Sequence, residues 1–190
     1  MNQRGIGVIA LLLLSVISLT FDTNCAQPST ETIQTSASPL KLGEARGTLT
    51  AGGQSIELKF AYARATKGLV DESKQEVEVL LTEKPVPEEI LMTSDDFLDT
   101  LSRSRDLMGV GLRASTEGKI VYIAPRMRFV RQSQEISLVT NLQTSEGGLV
   151  KIDANSIEGK SEKQSWSSGE KWSYSVAFRA TILKQVRSKK

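Results

Sequence analysis

The sequence predicts a mainly β domain, an antiparallel β-sandwich or a partly open barrel of about nine strands, with one helical segment near residues 87–108. The clearest strand is Trp172–Leu183, where apolar side chains alternate with mostly polar ones. Since successive side chains of a strand point to opposite faces, this run has one core face and one solvent face. Similar short runs, separated by glycine, proline and polar turns, recur from Gly47 onward. Such spacing is typical of antiparallel sheets.

The first residues of the chain carry the pattern of an export signal. Arg4 precedes the apolar run Ile6–Phe21, which is short for a membrane-spanning helix and long enough for a secretion signal. We therefore expect residues 1–25 to be a signal peptide, with an uncleaved anchor as the alternative. Residues 26–42 are rich in Ser, Thr and Gln, which predicts a disordered polar tether.

Cys25 is the single cysteine of the chain and follows the apolar run. Two processing routes are open. Cleavage after Ala26 would discard the cysteine, whereas cleavage before Cys25 would leave it as the lipid-modified first residue of a lipoprotein. We therefore expect a periplasmic or cell-surface protein, attached to a membrane only through a lipid on Cys25.

A single β-rich domain is predicted at 43–186, before a basic tail at 187–190. Its first hairpin turns at Gly52-Gly53, because paired glycines supply the positive φ angles of a tight turn. The predicted inward sets of the next two strands are Ile56, Leu58, Phe60 and Tyr62, then Val77, Val79 and Leu81. The helical segment begins at Pro87-Glu88-Glu89, since proline and acids favour the first turn of a helix.

The second half of the domain returns to strands. The runs predicted as strands lie at 110–114, 120–124, 126–131, 136–142, 149–154, 156–161 and 172–183. Turns are predicted at Glu117-Gly118, Gly147-Gly148 and Asn155. The stretch Gln164–Lys171 is polar and predicts a loop that carries Trp166.

A set of glycine, proline and apolar positions spans most of residues 43–183. Its members are Gly47, Leu49, Gly53, Ile56, Leu58, Ala61-Tyr62-Ala63, Val77, Val79-Leu80-Leu81-Thr82, Pro85-Val86-Pro87, Ile157, Gly159, Tyr174, Val176, Phe178 and Ala180. In this pattern the chain resembles a group of uncharacterised exported bacterial proteins. The resemblance implies the β fold and export, and it implies no activity.

The composition excludes several kinds of active site. The chain contains no His, so a Ser-His or Cys-His catalytic pair cannot form. Zinc sites of the usual type need His and Cys ligands, and the only Cys lies in the predicted signal. The net charge of +2, from 24 basic and 22 acidic residues, is too balanced to indicate nucleic-acid binding. We therefore expect no metal and no cofactor.

Two local motifs are better explained by structure than by chemistry. Ala154–Ser161 matches a loosened phosphate-binding loop, but no buried strand precedes it and no amphipathic helix follows it. Asp95, Asp96 and Asp99 lie where a helix begins, so we expect a solvated helix start rather than a calcium site or an acid–base pair.

Arg126, Arg128 and Trp166 are the candidate ligand-binding residues. Arg126 and Arg128 share one face of a predicted strand, and arginine pairs bind carboxylates and phosphates well. The alternative is a solvated strand face whose charges protect a sheet edge. Trp166 in a polar loop would suit contact with a sugar or a protein.

These observations favour an exported, non-enzymatic domain of the bacterial cell envelope. The predicted partner is a protein, an envelope component or a small apolar ligand. The alternative is a cell-envelope hydrolase that uses carboxylates or a Ser-Lys pair gathered only by the fold. A concave pocket that holds two convergent carboxylates, or a Ser beside a buried Lys, would indicate the enzyme.

Overall fold

A computed structural model describes residues 38–93, 96–104, 106–131, 133–139, 143–144, 148–167 and 169–183. The predicted signal peptide, Cys25, most of the tether and the basic tail lie outside these residues. The strands are β1 (Glu44–Ala51), β2 (Gln54–Lys67), β3 (Gln75–Thr82), β4 (Gly109–Ser115), β5 (Ile120–Arg131), β6 (Gln134–Val139), β7 (Gln143–Thr144), β8 (Leu149–Ile152), β9 (Ser156–Ser167) and β10 (Glu170–Leu183). The helices are α1 (Glu88–Thr93) and α2 (Phe97–Arg103).

The strands of the described residues form one sheet, in the order β6-β5-β4-β3-β2-β1-β10-β9-β8, with the short β7 paired to β5. Neighbours along this path pair antiparallel, so the predicted mainly β, antiparallel fold is confirmed. An isolated bridge joins Lys119 to Leu149, near the two ends of the sheet. Two backbone hydrogen bonds flank it, from Ile120 to Gly148 at 3.3 Å and from Val150 to Gly118 at 2.9 Å. The sheet does not close, although these contacts connect β8 to the start of β5. It therefore matches the partly open alternative of the predicted fold.

The inner face of the sheet is a continuous apolar core. The parity predicted for β10 is confirmed, since Trp172 and Phe178 are each 1% exposed and the residues that alternate with them are half-buried or exposed. The inward set predicted for β3 is also buried, and so are Val110, Leu112 and Ala114 of β4. The largest fully buried side chains on this face are Trp172, Phe178, Leu49, Leu58, Leu81, Leu112, Ile123, Met127, Leu138 and Ile157.

The parity predicted for β2 is wrong beyond Leu58. The register of β1 against β2 shifts between Glu44 and Gly47, and Ala61 and Ala63 occupy the core positions that follow. Tyr62 therefore faces the outer side of the sheet, where its hydroxyl accepts a hydrogen bond from the backbone N–H of Val86 at 2.9 Å. A single irregularity in the ladder is enough to exchange the two faces of a strand.

The predicted helical segment contains two short helices rather than one. Helix α2 packs on the outer face of β3, β4 and β5. Together with the flanking chain it forms a second apolar cluster, whose buried members are Leu80, Val86, Leu91, Phe97, Leu101 and Leu107. The outer face of the sheet is therefore covered at this place, and polar residues there are not in solvent.

Two further predictions of local structure need correction. The predicted polar loop at Gln164–Lys171 is a strand hairpin, because β9 continues to Ser167 and β10 begins at Glu170. Pro125 lies inside β5 rather than ending a strand. It stands between the residues of β5 that pair with β7 and those that pair with β6, where the ladder on that side is already interrupted.

Candidate functional site

A row of charged side chains lies between the sheet and helix α2. Arg64 on β2, Glu78 on β3 and Arg113 on β4 are neighbours in the strand register. Arg64 Nε is 3.1 Å from Glu78 Oε2, and Arg113 Nη2 is 3.8 Å from Glu78 Oε1. All three are buried, and Glu78 is 0% exposed. The row is thus an alternating plus–minus–plus arrangement held inside the protein.

Two further acids complete this buried charge cluster. Asp96, the residue before α2, lies 2.8 Å from Arg113 Nη2 through its Oδ2 atom. Glu76 Oε2 is 3.7 Å from Arg113 Nη1. The Arg64 guanidinium stacks over the ring of Phe97, at 4.3 Å from its centroid. These contacts therefore hold the start of α2 against the sheet.

The environment of Glu78 shifts its proton affinity. The pKa of Glu78 is raised to about 7, chiefly by burial and also by the nearby Asp96 carboxyl, which acts through a hydrogen bond and its negative charge. A backbone hydrogen bond at Phe97 and the charge of Arg64 oppose this increase in pKa. The folded state therefore holds the Glu78 proton more tightly than the unfolded chain does.

Glu78 and Asp96 are two convergent carboxylates, which is one of the features that would indicate the hydrolase. Glu78 is fully buried, Asp96 is half-buried at the start of α2, and each is matched by an arginine. A substrate would have to displace the helix to reach Glu78. Asp96 lies at a helix start, as expected, but its carboxylate is half-buried and ion-paired with the buried Arg113 rather than fully solvated. The arrangement suits a structural role, in which the ion pairs hold the start of α2 on the sheet, more than acid–base chemistry.

The sequence did not single out Arg64, Glu78 or Arg113. The alternation of β3 places Glu78 on the face that points away from the core. The sequence alone predicts that a side chain on this face is exposed to solvent, whereas Glu78 is buried. The following helical segment carried the available signal, because Phe97, Leu98, Leu101 and Met108 recur at helical spacing. Such an apolar stripe indicates that the helix packs on another surface.

The outer face of β1, β10 and β9 differs from the side that α2 covers. We call this surface the polar shelf, defined by the outward side chains Arg46, Thr48, Ser173, Ser175, Ala177, Lys160, Glu162, Gln164 and Trp166. Two open grooves run along it, of about 790 and 460 Å³. Both are lined by Thr48, Glu162 and Ser175, so they adjoin. Small hydroxyl side chains make the shelf shallow and polar.

Trp166 stands at the hairpin end of this shelf. It is 67% exposed, whereas Trp172, the other tryptophan, is 1% exposed in the core. Its register partner is Lys171, which is also exposed. Because Trp166 lies in a paired strand rather than in a loop, its backbone is held in place and its ring is presented to solvent.

The structure keeps Arg126 and Arg128 on one face of β5, as predicted, but does not place them in solvent. Arg126 is 8% exposed and Arg128 is half-buried. The backbone N–H of Arg128 lies 3.3 Å from the sulfur of Met108. Trp166 is not their neighbour in the sheet, because five strands separate β5 from β9 in the strand order. The three candidate residues therefore belong to two separate places.

Two properties of the described residues bear on other functions. In that part of the chain no three Asp, Glu or Cys side chains are grouped so that they could hold a metal ion. Within the same residues, neither helix has the length and apolar character that a membrane span requires.

No protein-family model, no curated protein and no solved structure matches this chain. Its geometry alone therefore carries the functional argument.

Proposed function

We propose that this chain is an exported, non-enzymatic domain of the bacterial cell envelope that binds another protein through the polar shelf. The observation that carries the proposal is Trp166, a large aromatic side chain that is 67% exposed on a regular strand. Exposing so much apolar surface to water is unfavourable, and tryptophan is enriched at the centres of protein interfaces. The open, helix-free face beside it offers room for a partner.

The inner face of the sheet supports a macromolecular partner over a small apolar ligand. Its inward positions are filled by large side chains such as Trp172, Phe178 and Met127. The larger shelf groove is an open surface edged by Arg46, Lys160 and Glu162, and Glu162 also lines the smaller one. Such a surface suits the polar rim of an interface, with Trp166 as its apolar anchor.

We expect a photo-crosslinking amino acid at position 166 to capture a discrete envelope protein in living cells. Val70, which is 80% exposed in the β2–β3 loop, gives the matched control position. With the captured protein in purified form, Trp166→Ala should weaken binding by about 2 kcal/mol, or roughly thirtyfold, as for an aromatic hot spot. Val70→Ala should leave binding unchanged. The same adducts from both positions, or equal affinities for both variants, would refute the shelf as the binding face.

Export has a test of its own. We expect the intact mass of the protein purified from its native cells to lack residues 1–24 or 1–26, because Arg4 and Ile6–Phe21 form a secretion signal. A lipid mass on Cys25, lost in Cys25→Ser, would identify the lipoprotein form. A mass that retains Met1 would contradict cleavage.

A further inference from the structure

Arg126 is a buried arginine to which the described residues offer no acid. Its side chain is 8% exposed, and its Nε and Nη1 atoms have no hydrogen-bond partner among those residues. Four other arginines of the domain lie close to a carboxylate: Arg46 at 2.8 Å, Arg64 at 3.1 Å, Arg113 at 2.8 Å and Arg179 at 3.5 Å. These four positive charges are therefore compensated, whereas the described residues leave that of Arg126 uncompensated.

The strand register explains the difference. Glu78 lies in the ladder between Arg64 and Arg113, so one acid serves both. The register partners of Arg126 are Gly109 on β4 and Val139 on β6, and neither residue type ionises. Arg128, two residues along the same face, adds a second positive charge. Burial, and then the charge of Arg128, lower the pKa of Arg126.

An uncompensated charge in this position calls for a counter-charge. Buried charges in proteins are paired with an opposite charge or hydrogen-bonded to a ligand, because removal from water is otherwise strongly unfavourable. A guanidinium stays protonated under all ordinary conditions, so Arg126 cannot lose its charge as a buried lysine or histidine can. Its planar donors match the oxygen atoms of carboxylates and phosphates.

We propose that Arg126 is the centre of an anion-binding site on the outer face of β5, which takes a carboxylate or phosphate group. Arg128 adds positive potential beside it. The site goes beyond the proposed function, since β5 pairs with β4, β6 and β7, whereas the β9 strand that carries Trp166 pairs with β8 and β10. Either assignment can therefore fail while the other holds.

The direct test follows the Arg126 Nε–H signal of the folded protein by nuclear magnetic resonance. Inorganic phosphate and acetate are titrated separately, with chloride keeping the ionic strength constant. We expect a saturable shift of the Arg126 signal with at least one anion, and the anion that saturates first identifies the preferred chemistry. The Arg46 signal, from an exposed side chain, provides the internal control. A shift of Arg126 that never saturates, or that equals the shift of Arg46, overturns the proposal.

Thermal unfolding of variants gives a second readout. The midpoint of the wild type should rise with the concentration of the binding anion, because a ligand of the folded state stabilises it. Arg126→Met should lose this rise, Arg126→Lys should keep only part of it, and Arg46→Met should keep all of it. Arg128→Met should weaken binding by about tenfold at most. The same rise in wild type and Arg126→Met rejects the site. If Arg126→Met does not fold, the wild-type titration decides alone.

Discussion

Phe178→Asp is expected to abolish folding. Phe178 is 1% exposed at the middle of β10, between Ala45 on β1 and Gly159 on β9. The change removes a large core side chain and buries a carboxylate with no partner, so the loss should exceed about 5 kcal/mol, comparable with the whole stability of a domain. Far-ultraviolet circular dichroism and the fluorescence of buried Trp172 report the loss of structure.

Thr181→Asp is the matched control for Phe178→Asp. Thr181 lies on the same strand, is exposed and pairs with Ser156, so a new carboxylate there should change stability by less than about 0.5 kcal/mol. The adjacent Arg179 is less suitable, because it lies 3.5 Å from Glu158 and opposite Glu44. An acid at 179 would add repulsion to the test. Equal stability of both Asp variants would show that the face assignment of β10 is wrong.

Arg113→Met is expected to destabilise the domain by about 3–5 kcal/mol near pH 8, since removing one partner leaves buried charges unpaired. Arg113 is 4% exposed and contacts Asp96, Glu76 and Glu78, so the variant leaves three acids without the arginine that they share. Arg46→Met, which breaks a more exposed pair with Glu44, should cost less than about 1 kcal/mol. Urea unfolding followed by circular dichroism measures both.

The pH dependence gives the Arg113→Met experiment its sharpest outcome. The pKa of Glu78 is about 7 in the folded protein against 4.5 for an ordinary glutamate. The proton thus favours the folded state, so stability should fall as pH rises from about 4.5 through 7, and Glu78→Gln should flatten this slope. Without Arg113 the acids repel more strongly, so the loss should be clearly smaller at pH 5 than at pH 8. An equal loss at both would mean that the cluster does not titrate.

Much of the fold follows from the period-two pattern of the strands. Alternation in Trp172–Leu183 and in β3 placed the core side chains correctly. The Gly52-Gly53 turn follows from its glycines, which have φ angles of 56° and 77°. The face of Tyr62 could not be predicted in this way, because the shift lies in the register of β2 against β1 and leaves no signal in the alternation of β2 itself.

The candidate site was less predictable than the fold. Trp166 was identified, but its polar neighbours suggested a loop, although strand pairing with β10 overrides that local preference. Alternation shows which side chains share a face and does not show what covers that face. Glu78 and Arg126 therefore read as solvent-facing, and only the packing of α2 and of the neighbouring strands reveals that they are buried.

The position of β1 has a consequence for how the domain folds. β1 lies between β2, its neighbour in sequence, and β10, the last described strand, with Glu44 opposite Arg179. Contacts between such distant segments form late, because the chain entropy of closing the long loop is lost before the pairing compensates for it. Until β10 docks, one edge of β1 is an open ladder that other chains can join. We expect the arrival of the β9–β10 hairpin to limit the folding rate, and chains that end before Glu170 to associate through the uncovered β1 edge.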